Sequence, residues 1–146
     1  MSGSNKTLAP AIVCSILALL LMNCSGEKPE PVGQTMIKNE KAREHEFLSD
    51  MYSDGYYPNL LVDKCREILV DLCIQIETRN PTSEEELFEL THAATERIND
   101  LDEEFEDNDS ELETGAREAL GGDFAFILEA YGFDVDVEDA IAPREW

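Results

Sequence analysis

SEEELFELTHAATERINDLDEEF, residues 83–105, carries the clearest structural signal in the chain. Ser83 with Glu86 three positions on is a capping box: the hydroxyl takes one amide of the first turn and the carboxylate reaches back for another. Behind it Leu87, Thr91, Ala94, Ile98, Leu101 and Phe105 recur at alternating four and three. That is the spacing of a helical-bundle seam, so one helix is predicted here, with this stripe buried against its neighbours.

The same period extends outward in both directions. Upstream, Leu61, Cys65, Ile68, Leu72 and Ile76, widened by Val62, Leu69 and Cys73, predict a helix from about Leu60 to the stop at Arg79-Asn80-Pro81. Before it, SDGYYPN (53–59) is a turn by its Asp-Gly and Pro content, and KAREHEFLSDMY (41–52) reads as a short helix with Phe47, Leu48 and Met51 on its apolar face. Downstream, Ser110 and Glu113 repeat the capping pattern, and Leu112, Ala116, Leu120, Phe124, Ile127 and Tyr131 form the buried stripe of a fourth helix that Gly132 ends. Gly121-Gly122 in its middle costs about 1 kcal/mol per Gly relative to Ala, so a kink, a close crossing or a break is expected there. The tail from Phe133 to Trp146 offers one more helical turn before Pro143, with Ile141 and Trp146 packing back. No strand pair with turn chemistry appears. The fold class is therefore all-α: a small up-and-down bundle of about four helices plus a short C-terminal helical turn.

At the other end, AIVCSILALLLM (11–22) is an apolar run of 12 residues interrupted only by Ser15. As a helix it rises about 18 Å against the roughly 30 Å of a bilayer core, too short to span. Lys6 before it and a sharp change to Ser25-Gly26-Glu27 after it give the layout of an export signal. Leu21-Met22-Asn23-Cys24 resembles the lipobox of bacterial lipoproteins, although Asn23 stands where that motif usually has Gly, Ala or Ser. The resemblance implies cleavage before Cys24 and acylation of its sulfur, with firm attachment by several chains, and Ser25 implies outer-membrane delivery in a cell with two membranes. Residues 1–23 are read as the signal peptide and 24–40, with Pro, Gly and charge but no apolar period, as a flexible tether. The acidic helical domain is then 41–146. The alternative is a cytoplasmic protein whose signal is not processed.

Composition narrows the partners. The chain has 33 Asp and Glu against 11 Lys and Arg; removal of the leader takes only Lys6, which leaves 10 basic against 33 acidic side chains, a charge of −23. Such a field repels nucleic acid and anionic headgroups and attracts basic proteins. Of the four cysteines, Cys14 goes with the signal and Cys24 with lipid. Cys65 and Cys73 lie about 12 Å apart along one helix, beyond the roughly 7 Å reach of a disulfide. They are expected as small buried hydrophobes.

DMYSDGYYPNLLVDKCREILVDLC (50–73), ELTHAATERINDL (89–101) and DFAFILEAYGFDVDVEDAIAPREW (123–146) resemble the uncharacterised bacterial family DUF5713. The resemblance runs from Asp50 to Trp146. It implies no activity, and the usual members look like compact cytoplasmic proteins without a lipobox.

Three constellations are candidate sites. Glu89, His92 and Glu96 lie on one helix face, and Glu-x-x-His is the unit of di-iron carboxylate bundles. Those bundles require a second such unit, and the other histidine, His45, stands near the tether, so a His92 bonded to a carboxylate or carbonyl is the plainer account. In the connector, Asp107, Asp109, Glu111 and Glu118 occupy the first, third, fifth and twelfth places of a calcium hand, but Leu112 holds the sixth, which needs Gly. Nine of the 14 residues 100–113 are acidic. Asp102, Glu103, Glu104, Glu106, Asp107 and Asp109, with Tyr56 and Tyr57 of the turn, are therefore candidates for docking a basic partner rather than merely a solvated face. No Gly-rich phosphate loop and no His beside a Ser or Cys nucleophile occurs. The expectation is a non-catalytic interaction module at the bacterial cell envelope, anchored in the membrane through lipidated Cys24, taking a basic protein and no cofactor. The alternative reading is a metal-binding helical protein.

Overall fold

The computed structural model describes residues 33–146, so the expected signal peptide, Cys24 and the first part of the tether lie outside the described residues. After a 3₁₀ turn, Gln34–Met36, come α1 (Glu40–Glu44), α2 (Ser49–Ser53), α3 (Asn59–Arg79), α4 (Glu84–Asn99), α5 (Asp102–Glu106), α6 (Thr114–Ala130) and α7 (Val137–Ala140). The described residues are all-helical and contain no strand.

Pairs of distant contacts give the direction of each leg. Asp71 of α3 pairs with Arg97 of α4 at 2.6 Å, and Lys64, nearer the start of α3, pairs with Glu104 of α5. The numbers run oppositely, so α3 and α4 form an antiparallel hairpin, as a short connection requires. Tyr57, just before α3, lies against the first turn of α6, while Glu77 near the end of α3 takes the hydroxyl of Tyr131 at the end of α6, 2.8 Å away. α6 therefore runs parallel to α3. Asn39 donates to the Ala130 carbonyl and His45 bonds Asp123, which sends the N-terminal leg antiparallel to α6. The four legs alternate in direction, and α7 closes one end by packing on α4 and α6.

The expected stripes form the core: Leu61, Cys65, Leu69, Leu72, Cys73, Leu87, Ile98, Phe105, Leu120, Phe124 and Ile127 are all buried. Cys65 and Cys73 are free thiols, and burial pushes each up to about 12. The Ser83 cap forms, with its hydroxyl accepting from the Glu86 amide at 3.2 Å. Asn80 ends α3 in the left-handed conformation and Gly132 ends α6 likewise, at φ 79°. In the latter case the amides of Gly132 and Phe133 return to the carbonyls of Glu129 and Leu128, a Schellman motif. Ile141 and Trp146 pack back on the bundle as expected.

Four local features differ from the sequence reading. The single helix expected over 41–52 is two short ones, because residues 45–48 leave helical geometry and Leu48 takes φ 56°. The amide this break frees bonds the buried Asp123, and two carbonyls bond Gln34. The seam helix ends at Asn99, where the Asn99 side chain donates to the Pro143 carbonyl and accepts the Glu145 amide, and its last turn continues separately as α5. α6 starts at Thr114, not at a Ser110 cap. Ser110 is instead buried beneath the Tyr56 hydroxyl, and the buried Leu112 pulls the chain inward before the helix begins. Finally α6 runs unbroken through Gly121-Gly122, where an added Cβ would meet nothing within 4 Å, so no close crossing requires them.

Residues 33–39, which the sequence assigns to the tether, are packed: Gln34 and Ile37 are buried, and the amides of Lys38 and Asn39 bond the Glu77 carboxylate at 2.8–3.0 Å. Among the described residues no helix is long and apolar enough to cross a membrane.

The glycines give opposite expectations. Gly121→Ala with Gly122→Ala should stabilise the domain by about 1 kcal/mol per site, since both are helical and unobstructed. Gly115→Ala should instead destabilise, because its Cβ would sit 2.8 Å from the Tyr57 hydroxyl. Adding Tyr57→Phe should recover the loss. Thermal melts of the four proteins check both.

Candidate functional site

The acidic residues singled out by sequence are displayed on a rigid support. Phe105 is wholly buried, and Leu101 and Leu112 are buried on either side, so α5 is pinned to the core by its apolar positions while its acids face outward. Glu103, Glu106, Asp107 and Asp109 are exposed, and Asp102 and Glu104 half-buried. Glu104 is paired with Lys64 of α3. Tyr56 and Tyr57 part company. Tyr57 is buried and closes the end of the bundle over Gly115, whereas Tyr56 stays 40% exposed, its ring edge-on to Tyr57 and its hydroxyl facing Ser110 and Glu111. Leu60, one helical turn beyond Tyr56, is 71% exposed. Tyr56 thus adjoins the acidic connector, and Leu60 lies one helical turn before Lys64, which pairs with Glu104 of α5.

The Glu89, His92 and Glu96 face is not gathered into a cluster. His92 lies flat against Phe88, with ring centroids 5.5 Å apart, and its Nε2 bonds the Asp139 carbonyl at 2.8 Å, tying α4 to α7. Glu89 and Glu96 are exposed. Among the described residues no group of three His, Cys, Asp or Glu side chains is placed to hold a metal ion.

The site that sequence reasoning passed over is built on His45. Between α1 and α2 the chain turns around a cleft of about 450 Å³. His45 stands in its wall, its ring stacked on Phe126 at 3.7 Å and met edge-on by Phe47 at 4.7 Å. Its Nε2 lies 2.7 Å from Asp123 Oδ1, and Asp123 Oδ2 accepts the Leu48 amide at 2.7 Å. Toward an ionised carboxylate the imidazole must be the donor, so in the neutral ring the proton is on Nε2 and Nδ1 is an acceptor. Burial pushes the Asp123 carboxyl above its ordinary range, against the opposing pull of His45 and the Leu48 amide. The pair is an oriented imidazole on a buried carboxylate, arranged by a backbone break. No local signal in the sequence marks the pair, because Asp123 lies 78 residues beyond His45 and 75 beyond Leu48.

Glu77 fastens the preceding residues in the same way. Burial alone would raise its carboxyl, but the amides of Asn39 and Lys38 and the Tyr131 hydroxyl together outweigh that and hold it below the ordinary range. A depressed carboxyl stabilises the fold fully above its unfolded value and loses that contribution as pH falls through the folded one. Glu77→Gln should therefore cost about 1–2 kcal/mol at neutral pH and flatten the acid limb of stability. Urea unfolding at neutral and acid pH measures this; an unchanged acid limb would assign it to other carboxylates.

The family model described as a family of unknown function, DUF5713, matches residues 41–146, which takes in α1 through α7 apart from the first residue of α1. No curated protein and no solved structure matches the chain. With nearly three quarters of its length covered by that model, the chain belongs to the family of unknown function DUF5713.

Proposed function

We propose that this domain is a non-catalytic interaction module that docks a basic protein on the face formed by α5, the connector after it and the start of α3, and that it is held at a bacterial cell envelope through lipidated Cys24. The observation that supports the docking reading is the coincidence of two kinds of exposure. Acidic side chains project from a short helix fixed by Phe105; of the three large hydrophobics exposed among the described residues, Tyr56 faces Ser110 and Glu111 of the connector and Leu60 lies one helical turn before Lys64, the partner of Glu104. Carboxylates on a fixed support steer a cationic partner at long range, and an exposed aromatic and an aliphatic side chain supply the contact area that charge alone lacks.

The reading makes association salt-sensitive, since exposed charges are screened over about 8 Å at physiological ionic strength. Glu103→Lys, Glu106→Lys and Asp107→Lys together change exposed positions for which no ion pair is seen among the described residues. Capture of a partner from envelope extracts should be abolished by this variant with the helical circular dichroism intact; capture at the wild-type level would remove the docking reading. For the anchor, intact mass of the membrane fraction should equal residues 24–146 plus acyl chains and revert in Cys24→Ala. A full-length unmodified chain in the soluble fraction would place the protein in the cytoplasm instead.

A further inference from the structure

We propose that the His45 cleft binds a small zwitterion, a free amino acid or the paired charges of a short peptide. The inference is independent of the acidic docking face. The cleft carries both signs of charge in a chain that is otherwise overwhelmingly negative: Arg43 and Arg66 line it together with Glu44 and Glu46. Arg66 is itself paired with Asp63, so Arg43 is the guanidinium set against Glu44 and Glu46; an anion alone meets both carboxylates and a cation alone meets Arg43. A ligand with a carboxylate at one end and an ammonium at the other meets each charge with its opposite.

The cleft is prebuilt. Gln34, itself buried, donates from Nε2 to the carbonyls of Arg43 at 3.0 Å and His45 at 2.9 Å, which fixes the backbone carrying both side chains. Arg66 is held with its side chain 9% exposed, its guanidinium over the Tyr52 ring and 3.4 Å from Asp63. Arg43 makes one long bond, 3.4 Å, to the Ile37 carbonyl and is half-buried. His45 is oriented through Nε2 by Asp123, and among the described residues nothing bonds its Nδ1, although the side chain is 26% exposed. An imidazole held this way offers a lone pair to an ammonium N–H, beside the carboxylates of Glu44 and Glu46. Arg43 takes the carboxylate. A volume of about 450 Å³ falls within the range of small-molecule sites and suits an amino acid or dipeptide. Leu48 in the left-handed region, strained by about 1–2 kcal/mol, is the cost of turning the chain around this space.

The chain's two histidines make the test direct. Imidazole C–H resonances of the full-length protein in detergent micelles are followed by NMR while L-alanine, L-alanyl-L-alanine, N-acetyl-L-alanine or L-alaninamide is added, with His92 as internal control. The His45 signals should move saturably with one or both zwitterions, and which of the two saturates first separates a free amino acid from a peptide. The singly charged analogues should bind at least about tenfold more weakly, as should L-alanine to Arg43→Gln and, because Glu46 is exposed and outside the core, to Glu46→Gln. No saturable shift, an equal response to the capped analogues, or an undiminished response in Glu46→Gln overturns the proposal.

Discussion

A buried carboxylate, Asp123, holds the first leg of the bundle to the last. Its two oxygens accept from the His45 ring and the Leu48 amide, both at 2.7 Å. Removing a carboxylate from water is expensive unless its oxygens are satisfied, and the N-terminal leg satisfies them by leaving the helix for four residues. The cost therefore falls on the local structure and the benefit on the tertiary one. Glu77 repeats the device at the end of α3, where it gathers the Lys38 and Asn39 amides and the Tyr131 hydroxyl. Between them the two carboxylates stitch residues 38–48 to α3 and α6.

This use of acids inside the fold contrasts with their use outside. Most of the 33 acidic side chains are on the surface, where water and salt screen them and each pair is worth little. Four ion pairs of Lys or Arg link described residues, but the fold rests on its apolar stripes. α5 shows how the two coexist. Phe105 is wholly buried while Glu103 and Glu106 on the same short helix face water, so the most acidic part of the chain is also firmly attached to the core. A surface of this kind is fixed in shape and strongly charged, which is what steering a partner requires.

The His45 cleft has a different character. It is small, mixed in charge and made by a break in regular structure, the setting in which binding groups are commonly placed because loops and element ends can aim side chains that a continuous helix would space evenly around its axis. Gln34 and Phe126, contributed from opposite ends of the described chain, hold the backbone and the ring in place. His92, the histidine with the more suggestive sequence spacing, instead joins α4 to α7 through the Asp139 carbonyl.

Periodicity and capping were enough to establish the all-α class, the extents of α3 and most of α4, the Ser83 cap, the Gly132 stop and the buried stripes, because each depends on residues within a turn or two of one another. The exposure of Glu103 and Glu106 on α5 followed from the same pattern. The break at residues 45–48, the packing of 33–39 and the separate start of α6 depended on partners 38 or more residues away, and the cleft follows from that break. Neither His45 nor Gln34 has a neighbour in sequence that marks it. A helix leaves its path where a distant group offers its amides and carbonyls better hydrogen bonds than the next turn does, and that competition is resolved only when the legs have come together.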